Sequence, residues 1–276
     1  MFKSIYQGER SLFKQSDLEV SSSYFHDGES PLKEGRNITV LDSTFSYKYP
    51  LWYGKNISVY NSYFILDAHA CFWYGSDYYF NNVYIGANKN FRRLENVNVK
   101  DSILLNSTES FWYCKNVNIK NSILEGDYLF LGSEEIVLEN CLIKGNYPFD
   151  SAKNIILINC FLNSKDAFWN CENVMVISSS IYGEYIGWNS SYLRFLDSKI
   201  KSHQGFCYID NLVINDCDIY GGDLMFEYCS NIFAKVTSRI SSVKNPISGY
   251  IESKGIDELI QDDESIDTKQ VKYEQI

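Results

Sequence analysis

The sequence predicts an all-β chain wound as a single-stranded parallel β-helix, a solenoid of about twelve coils of 19–21 residues. Three observations predict it. A polar corner residue recurs at a nearly fixed interval along most of the chain. After each corner, apolar residues alternate with polar ones at the spacing of two that marks a half-buried strand. The apolar positions are filled by β-branched and aromatic residues, which favour strand over helix.

The cleanest copy of the repeat is Lys165 to Ser179, KDAFWNCENVMVISS. Its corner, Asn173, has counterparts at Asp17, Asn37, Asn56, Asp77, Asn96, Asn116, Glu135, Asn154, Tyr192, Asn211 and Asn231, with successive spacings of 19 to 21. Repetition at this period is the mark of a solenoid. A leucine-rich horseshoe is ruled out, because the Leu-x-x-Leu-x-Leu pattern is missing and no helical segment fits between the strands.

Taken in order, residues 1–16 are expected to cap the first coil, since an open solenoid end would expose strand edges. Residues 17–250 form the coils. One and three residues after each corner stand the core columns, as in Ile38 and Val40, Val97 and Val99, Val174 and Val176. Five residues before it stands a column of Phe: Phe72, Phe91, Phe111, Phe130, Phe149, Phe168, Phe206 and Phe226, broken by Gly187. Like rings at one point of successive coils predict a stack along the axis.

Five residues after each corner runs a second Asn/Asp column, including Asp42, Asn61, Asn82, Asp101, Asn121 and Asn140. Asn and Asp tolerate the left-handed backbone of sharp corners, and stacked amides can bond along the axis. Both columns therefore read as structural. The cysteines fall in small-residue columns and read as buried free thiols, although Cys141 and Cys160, one strand spacing of roughly 4.8 Å apart, would permit a disulfide. Residues 251–276 read as a last cap and an acidic tail, with eight acids against three lysines, and with Glu258 to Glu264 as a short covering helix.

Composition excludes several functions. Aromatic content of 16% is too high for disorder. A net charge of -10 argues against nucleic-acid binding. No apolar run is long enough to span a membrane. The opening MFKSIYQGERSLF, with Glu9 and Arg10 inside it, does not resemble a secretory leader, which predicts a cytoplasmic chain. His69 and His203 lie seven coils apart, roughly 34 Å at the strand spacing, so they cannot share a metal. No metal site and no cofactor are expected.

The segments GERSLF (8–13), GESPLKEG (28–35), KYPLWY (48–53), FRR (91–93), DAFWNCENV (166–174), GEYIGWNS (183–190), QGFCYIDNLV (204–213) and NPISG (245–249) resemble an uncharacterised bacterial family of unknown function. That family is placed with the pectin-lyase-like right-handed parallel β-helices. The resemblance covers nearly the whole chain and implies right-handed winding. It implies no activity, since a shared fold does not carry a shared chemistry.

Candidate function lies four residues before each corner. That column reads Trp52, Trp73, Arg92, Trp112, Leu131, Asp150, Trp169, Trp188, Cys207 and Glu227, and holds all five Trp of the chain. If the Phe column faces inward, this neighbour faces out and makes an aromatic stripe roughly 40 Å long. Exposed aromatic surface on that scale marks a binding face, and sugar C–H faces pack on indoles. The expected ligand is a poly- or oligosaccharide held by Trp52, Trp73, Trp112, Trp169 and Trp188, with Arg92 and Arg93 anchoring an acidic group. The alternative is that the indoles pack against neighbouring side chains or cover a homo-oligomer interface.

Catalysis is left open. Asp150 and Asp166 are on adjacent coils and are the best pair for glycoside hydrolysis, which needs two carboxyls about 5–10 Å apart. His203, placed between Glu184 and Asp223 in a polar column, is a candidate acid or base. The competing reading for all of these is a non-catalytic scaffold.

Overall fold

The computed structural model describes residues 3–65 and 67–276, and resolves the chain into two compact units, Met1–Ile143 and Lys144–Ile276. Each is a parallel β-solenoid. In the first unit seven six-residue strands repeat: Ser16–Ser21, Arg36–Leu41, Lys55–Tyr60, Ser76–Asn81, Glu95–Lys100, Lys115–Lys120 and Glu134–Glu139. They pair in parallel with Leu18, Ile38, Ile57, Tyr78, Val97, Val117 and Ile136 in one register. This is the column that the spacing predicts.

Each of these strands turns a corner into a shorter one on a second face, such as Thr44–Phe45, Tyr63–Phe64 and Ile103–Leu104. The second unit repeats the scheme with Lys153–Ile158, Glu172–Ile177, Ser191–Leu196, Asp210–Tyr220, Ser230–Val236, Gly249–Ser253 and Val271–Gln275. Seven turns in each unit make about fourteen, against the expected twelve. The difference arises at the C-terminal end, where Gly249–Ser253 pairs with Ser230–Val236 and Val271–Gln275 pairs with Gly249–Ser253. The expected helix over Glu258 to Glu264 is a correction of the same kind. Ile256–Ile260 is a strand paired with Ile240–Lys244, which continues the coil instead of crossing it.

The core is the stack that the Phe column predicts. In the first unit Phe91 and Phe111 lie 4.3 Å apart at 3°, and Phe111 and Phe130 4.7 Å at 17°. On the second face Phe25, Phe45 and Phe64 stack at 4.5 and 4.8 Å. Tyr78 is fully buried and satisfied, its hydroxyl donating to Leu51 O and accepting from Gly54 N.

Polar columns close the corners. Asn37 donates to Asp17, Asn56 to Asn37, Asn96 to Asp77 and Asn116 to Asn96, each across one coil at 2.7–3.0 Å. The same rule holds at Asn61, Asn82, Asn121 and Asn140. All these asparagines have φ between 47° and 58°, the left-handed region that an amide ladder makes worth occupying. Inside, the hydroxyls of Ser43, Ser62 and Ser122 accept the backbone N–H of the preceding coil at 3.0–3.1 Å.

All eight cysteines are buried free thiols, Cys141 and Cys160 among them. Burial pushes the Cys114 thiol up to about 12, so it is not a nucleophile at neutral pH.

Candidate functional site

The tryptophan corner is built by a backbone of alternating hand. Around Trp112, residues Glu109, Phe111, Tyr113 and Asn116 all have φ between 54° and 59°. The left-handed turn at Phe111 sends its ring inward, and the one at Tyr113 sends that ring out. Trp112 lies between them on the rim. All five Trp are half-buried, neither core nor free in solvent.

In the first unit the rings are used on one another. Trp52 and Trp73 stack at 4.8 Å and 7°. The Arg92 guanidinium lies 4.8 Å from the Trp73 ring centre and 4.2 Å from that of Trp112. The indole N–H groups are also taken: Trp52 donates to Ala70 O, Trp73 to Lys89 O and Trp112 to Tyr128 O. A sugar ring needs a free indole face, and here neighbouring coils occupy the faces. Arg92, expected to anchor an acidic ligand, has its Nη2 bonded to Glu109 at 2.9 Å. Lys89 approaches the same carboxylate at 3.6 Å.

This sandwich carries a prediction. Arg92→Ala is expected to destabilise the chain by about 1–2 kcal/mol, the worth of a partly desolvated cation between two rings, and Arg92→Lys should recover only part of it because the planar fork is lost. Urea melts measure both, and a wild-type midpoint for Arg92→Ala would contradict the assignment.

Outside the indoles runs a column that the sequence reading did not single out. Tyr53, Tyr74 and Tyr113 are 46%, 40% and 51% exposed. Tyr53 and Tyr74 stack at 5.1 Å, Lys33 lies over Tyr53 and Arg93 over Tyr113. These tyrosines stand three residues before the corners Asn56, Asp77 and Asn116, and a left-handed backbone, with φ of 56°, 61° and 55°, turns their rings outward.

In the second unit the corner is looser. Trp169 and Trp188 are 6.0 Å apart at 36°, and with Tyr185 and Gln204 they line a cavity of about 280 Å³. Beside it, Lys165, Glu184, Lys201 and His203 border a concavity of about 500 Å³. His203 Nδ1 is 3.4 Å from Asp223 Oδ2, and Lys165 Nζ is 3.9 Å from Glu184. The two carboxyls proposed as a hydrolytic pair are engaged separately. Asp150 accepts from Ser151 at 2.9 Å and Asn170 at 3.1 Å, whereas Asp166 is buried, with burial raising its carboxyl above the usual range. Among the described residues, no cluster of three or more His, Cys, Asp or Glu is arranged to hold a metal ion, and no helix is long and apolar enough to cross a membrane.

Comparison with known proteins gives a family. Residues 1–274 match the family described as a protein of unknown function, DUF3737. No curated protein matches the sequence. Among solved structures, the chain is similar to PfbA, a surface adhesin of Streptococcus pneumoniae, at 12% identity and a TM-score of 0.27, covering 95% of this chain and 70% of that one. It is also similar to HetL, a pentapeptide repeat protein involved in heterocyst differentiation regulation from the cyanobacterium Nostoc sp. strain PCC 7120. That match has 9% identity and a TM-score of 0.19, covering 81% of this chain and 89% of that one.

Proposed function

This chain belongs to the DUF3737 family of proteins of unknown function, and on that premise we propose that it is a binding solenoid whose aromatic corner is a recognition surface. The observation that carries this reading is the outward column of Tyr53, Tyr74 and Tyr113, interleaved with Arg93 and Lys33. Tyr and Arg dominate the energetic centres of protein interfaces. Here they stand on a backbone fixed by inter-coil hydrogen bonds, so little entropy is lost on docking. The occupant is a protein surface, first of all a second copy of the chain meeting it through this face.

Carbohydrate binding is the second reading, confined to the second unit. What favours it is the opened Trp169–Trp188 pair with its cavity, and the concavity bordered by Lys165, Glu184 and His203 alongside. Kinship with the pectin-lyase-like right-handed helices belongs to this reading. Eight buried free thiols suit a reducing compartment, in line with a cytoplasmic chain.

Light scattering with a glycan array separates the two. The first reading expects a dimer in the wild type that Tyr113→Glu converts to monomer, with folding intact by circular dichroism. Glycan binding by the wild type, lost in Trp188→Ala and kept in Trp112→Ala, would instead support the second. A monomer that binds no glycan sinks both.

A further inference from the structure

Beside the outward tyrosines of the first unit stands a group of cations without counter-charges. Lys33, Arg36 and Lys55 border a concavity of about 660 Å³ together with Tyr53 and Tyr74. One acid, Glu34, shares this wall, and its carboxylate is turned to Lys14 at 3.4 Å. Lys55 feels the charge of Asp77, but Ser76 and Asn96 each donate to that carboxylate at 2.8 Å. The patch is therefore positive, on a chain whose net charge is -10.

Several cations of this unit are met by carboxylates on neighbouring coils: Lys48 by Glu29 at 2.6 Å, Lys89 by Glu109 at 3.6 Å and Lys120 by Glu139 at 2.6 Å. The row that opens the six-residue strands shows the contrast directly. Lys115 is the register partner of Glu134 and bonds Glu135 at 3.8 Å. Arg36, in the same row, is the register partner of Lys55. Their backbones are one strand spacing apart, roughly 4.8 Å, and like charges set opposite each other destabilise a pairing. Among the described residues no carboxylate forms an ion pair with Lys33, Arg36 or Lys55.

These cations stand on fixed backbone. Lys55 N donates to Gly35 O at 3.0 Å, Ser76 N to Gly54 O at 3.1 Å and Glu34 N to Trp52 O at 2.7 Å. Lys33 Nζ lies 5.5 Å from the centre of the Tyr53 ring, which stacks on Tyr74. A preformed cluster of charge beside two exposed phenols is a site for an anion.

We infer that this concavity binds a phosphate monoester. Two adjacent cations with a third beside them call for more than the single charge of a carboxylate. A monoester carries about −1.5 to −2 near neutral pH and offers three acceptor oxygens. The Arg36 guanidinium takes two of them as a fork, Lys55 meets the third as a point charge, and Lys33 closes the cluster. The organic part of the ester lies toward Tyr53 and Tyr74. This site is separate from the proposed dimer contact at Tyr113, which does not border the concavity.

Titration calorimetry on the full chain tests it with phenyl phosphate, phenyl sulfate and phenylacetate. Phenyl phosphate is expected to bind at least about tenfold more tightly than the two monoanions, the factor that one further charge-assisted hydrogen bond implies. Going from pH 8 to pH 5 crosses the second pKa of the ester, about 6. The ligand then loses a charge, and its affinity should fall several fold relative to phenyl sulfate, which is singly charged at both values. Arg36→Gln and Lys55→Gln should each lose about tenfold toward phenyl phosphate, while Lys120→Gln and Tyr113→Glu leave binding unchanged. Urea melts without ligand separate binding from a structural role. Relief of the like-charge pair predicts a midpoint unchanged or raised in Lys55→Gln. A lowered midpoint there, equal binding of phosphate and sulfate, or no binding of phenyl phosphate overturns the assignment and leaves the dimer reading standing. A phosphoserine peptide that binds at least about tenfold more tightly than phenyl phosphate assigns the monoester to a modified protein, and equal or weaker binding assigns it to a free small molecule.

Discussion

Phe111→Ala should cost about 3–5 kcal/mol, the range for removing a fully buried aromatic ring from a core that cannot close over the gap. Phe111 is completely buried and has a parallel ring on either side, at 4.3 and 4.7 Å. The gap cannot collapse along the axis, because the coil spacing is fixed by Phe111 N donating to Asn90 O at 3.0 Å and Phe130 N to Ser110 O at 2.9 Å. Nor does the backbone relax, since φ is +59° and alanine gains nothing there. In a solenoid each coil touches only its neighbours. Hydrogen exchange should therefore quicken first in Glu95–Lys100, Lys115–Lys120 and Glu134–Glu139. Urea melts give the magnitude, and a loss below about 1 kcal/mol would show that the stack does not carry the core. Trp112→Ala makes the comparison, because its ring is half-buried and its loss should be smaller.

The period and the two alternating columns made the solenoid legible, since side-chain direction in a strand follows parity alone. Val97, Val117 and Ile136 fall into register because nothing else in their coils can face the core. The ends were harder. Residues Gly249–Ser253 and Val271–Gln275 form full turns, yet their sequence holds no Asn corner, and Asn245-Pro246 reads as a break. Asn245 instead ties two coils together, donating through its side chain to Asp262 and from its backbone to Ile260 O. A polar residue doing backbone work looks from sequence like a loop.

The site was half legible for a related reason. One residue per coil at the Trp column shows that the rings stack, but not on what. Whether Trp73 offers its face to solvent depends on the side chain one coil away, and Arg92 took it. The same column opens at Trp169 and Trp188, where Gly187 replaces the Phe of other coils and Ile209 from the following coil lies against it. Contacts between coils nineteen residues apart decide these points, and the pattern within one coil does not contain them. Asp166 was singled out for its position in the chain. Its isolation from any donor at Oδ2 emerged only when its surroundings were assembled.

Gly249→Ala is expected to unfold the last coils, at about 3 kcal/mol or more, since a backbone clash and a forbidden dihedral fall on one residue. Gly249 has φ at +134°, a conformation reserved for glycine. It also opens the strand Gly249–Ser253 as the register partner of Ile232, and a Cβ there would lie 2.2 Å from Ile232 O and 2.5 Å from Ile232 N. Both atoms are backbone and cannot swing aside. The strand would have to leave Ser230–Val236, and Val271–Gln275, paired to its other edge, would leave with it. Gly221→Ala is the control. Its φ is +58° with nothing within 4 Å of an added Cβ, so only the left-handed penalty of about 1 kcal/mol applies. Limited proteolysis should cut Gly249→Ala after Val236 under conditions that leave wild type and Gly221→Ala whole. If Gly249→Ala resists as well as the control, the close approach of these two strands is not what holds the final turns, and the load would have to lie with Ile251, fully buried one turn beyond Ala234.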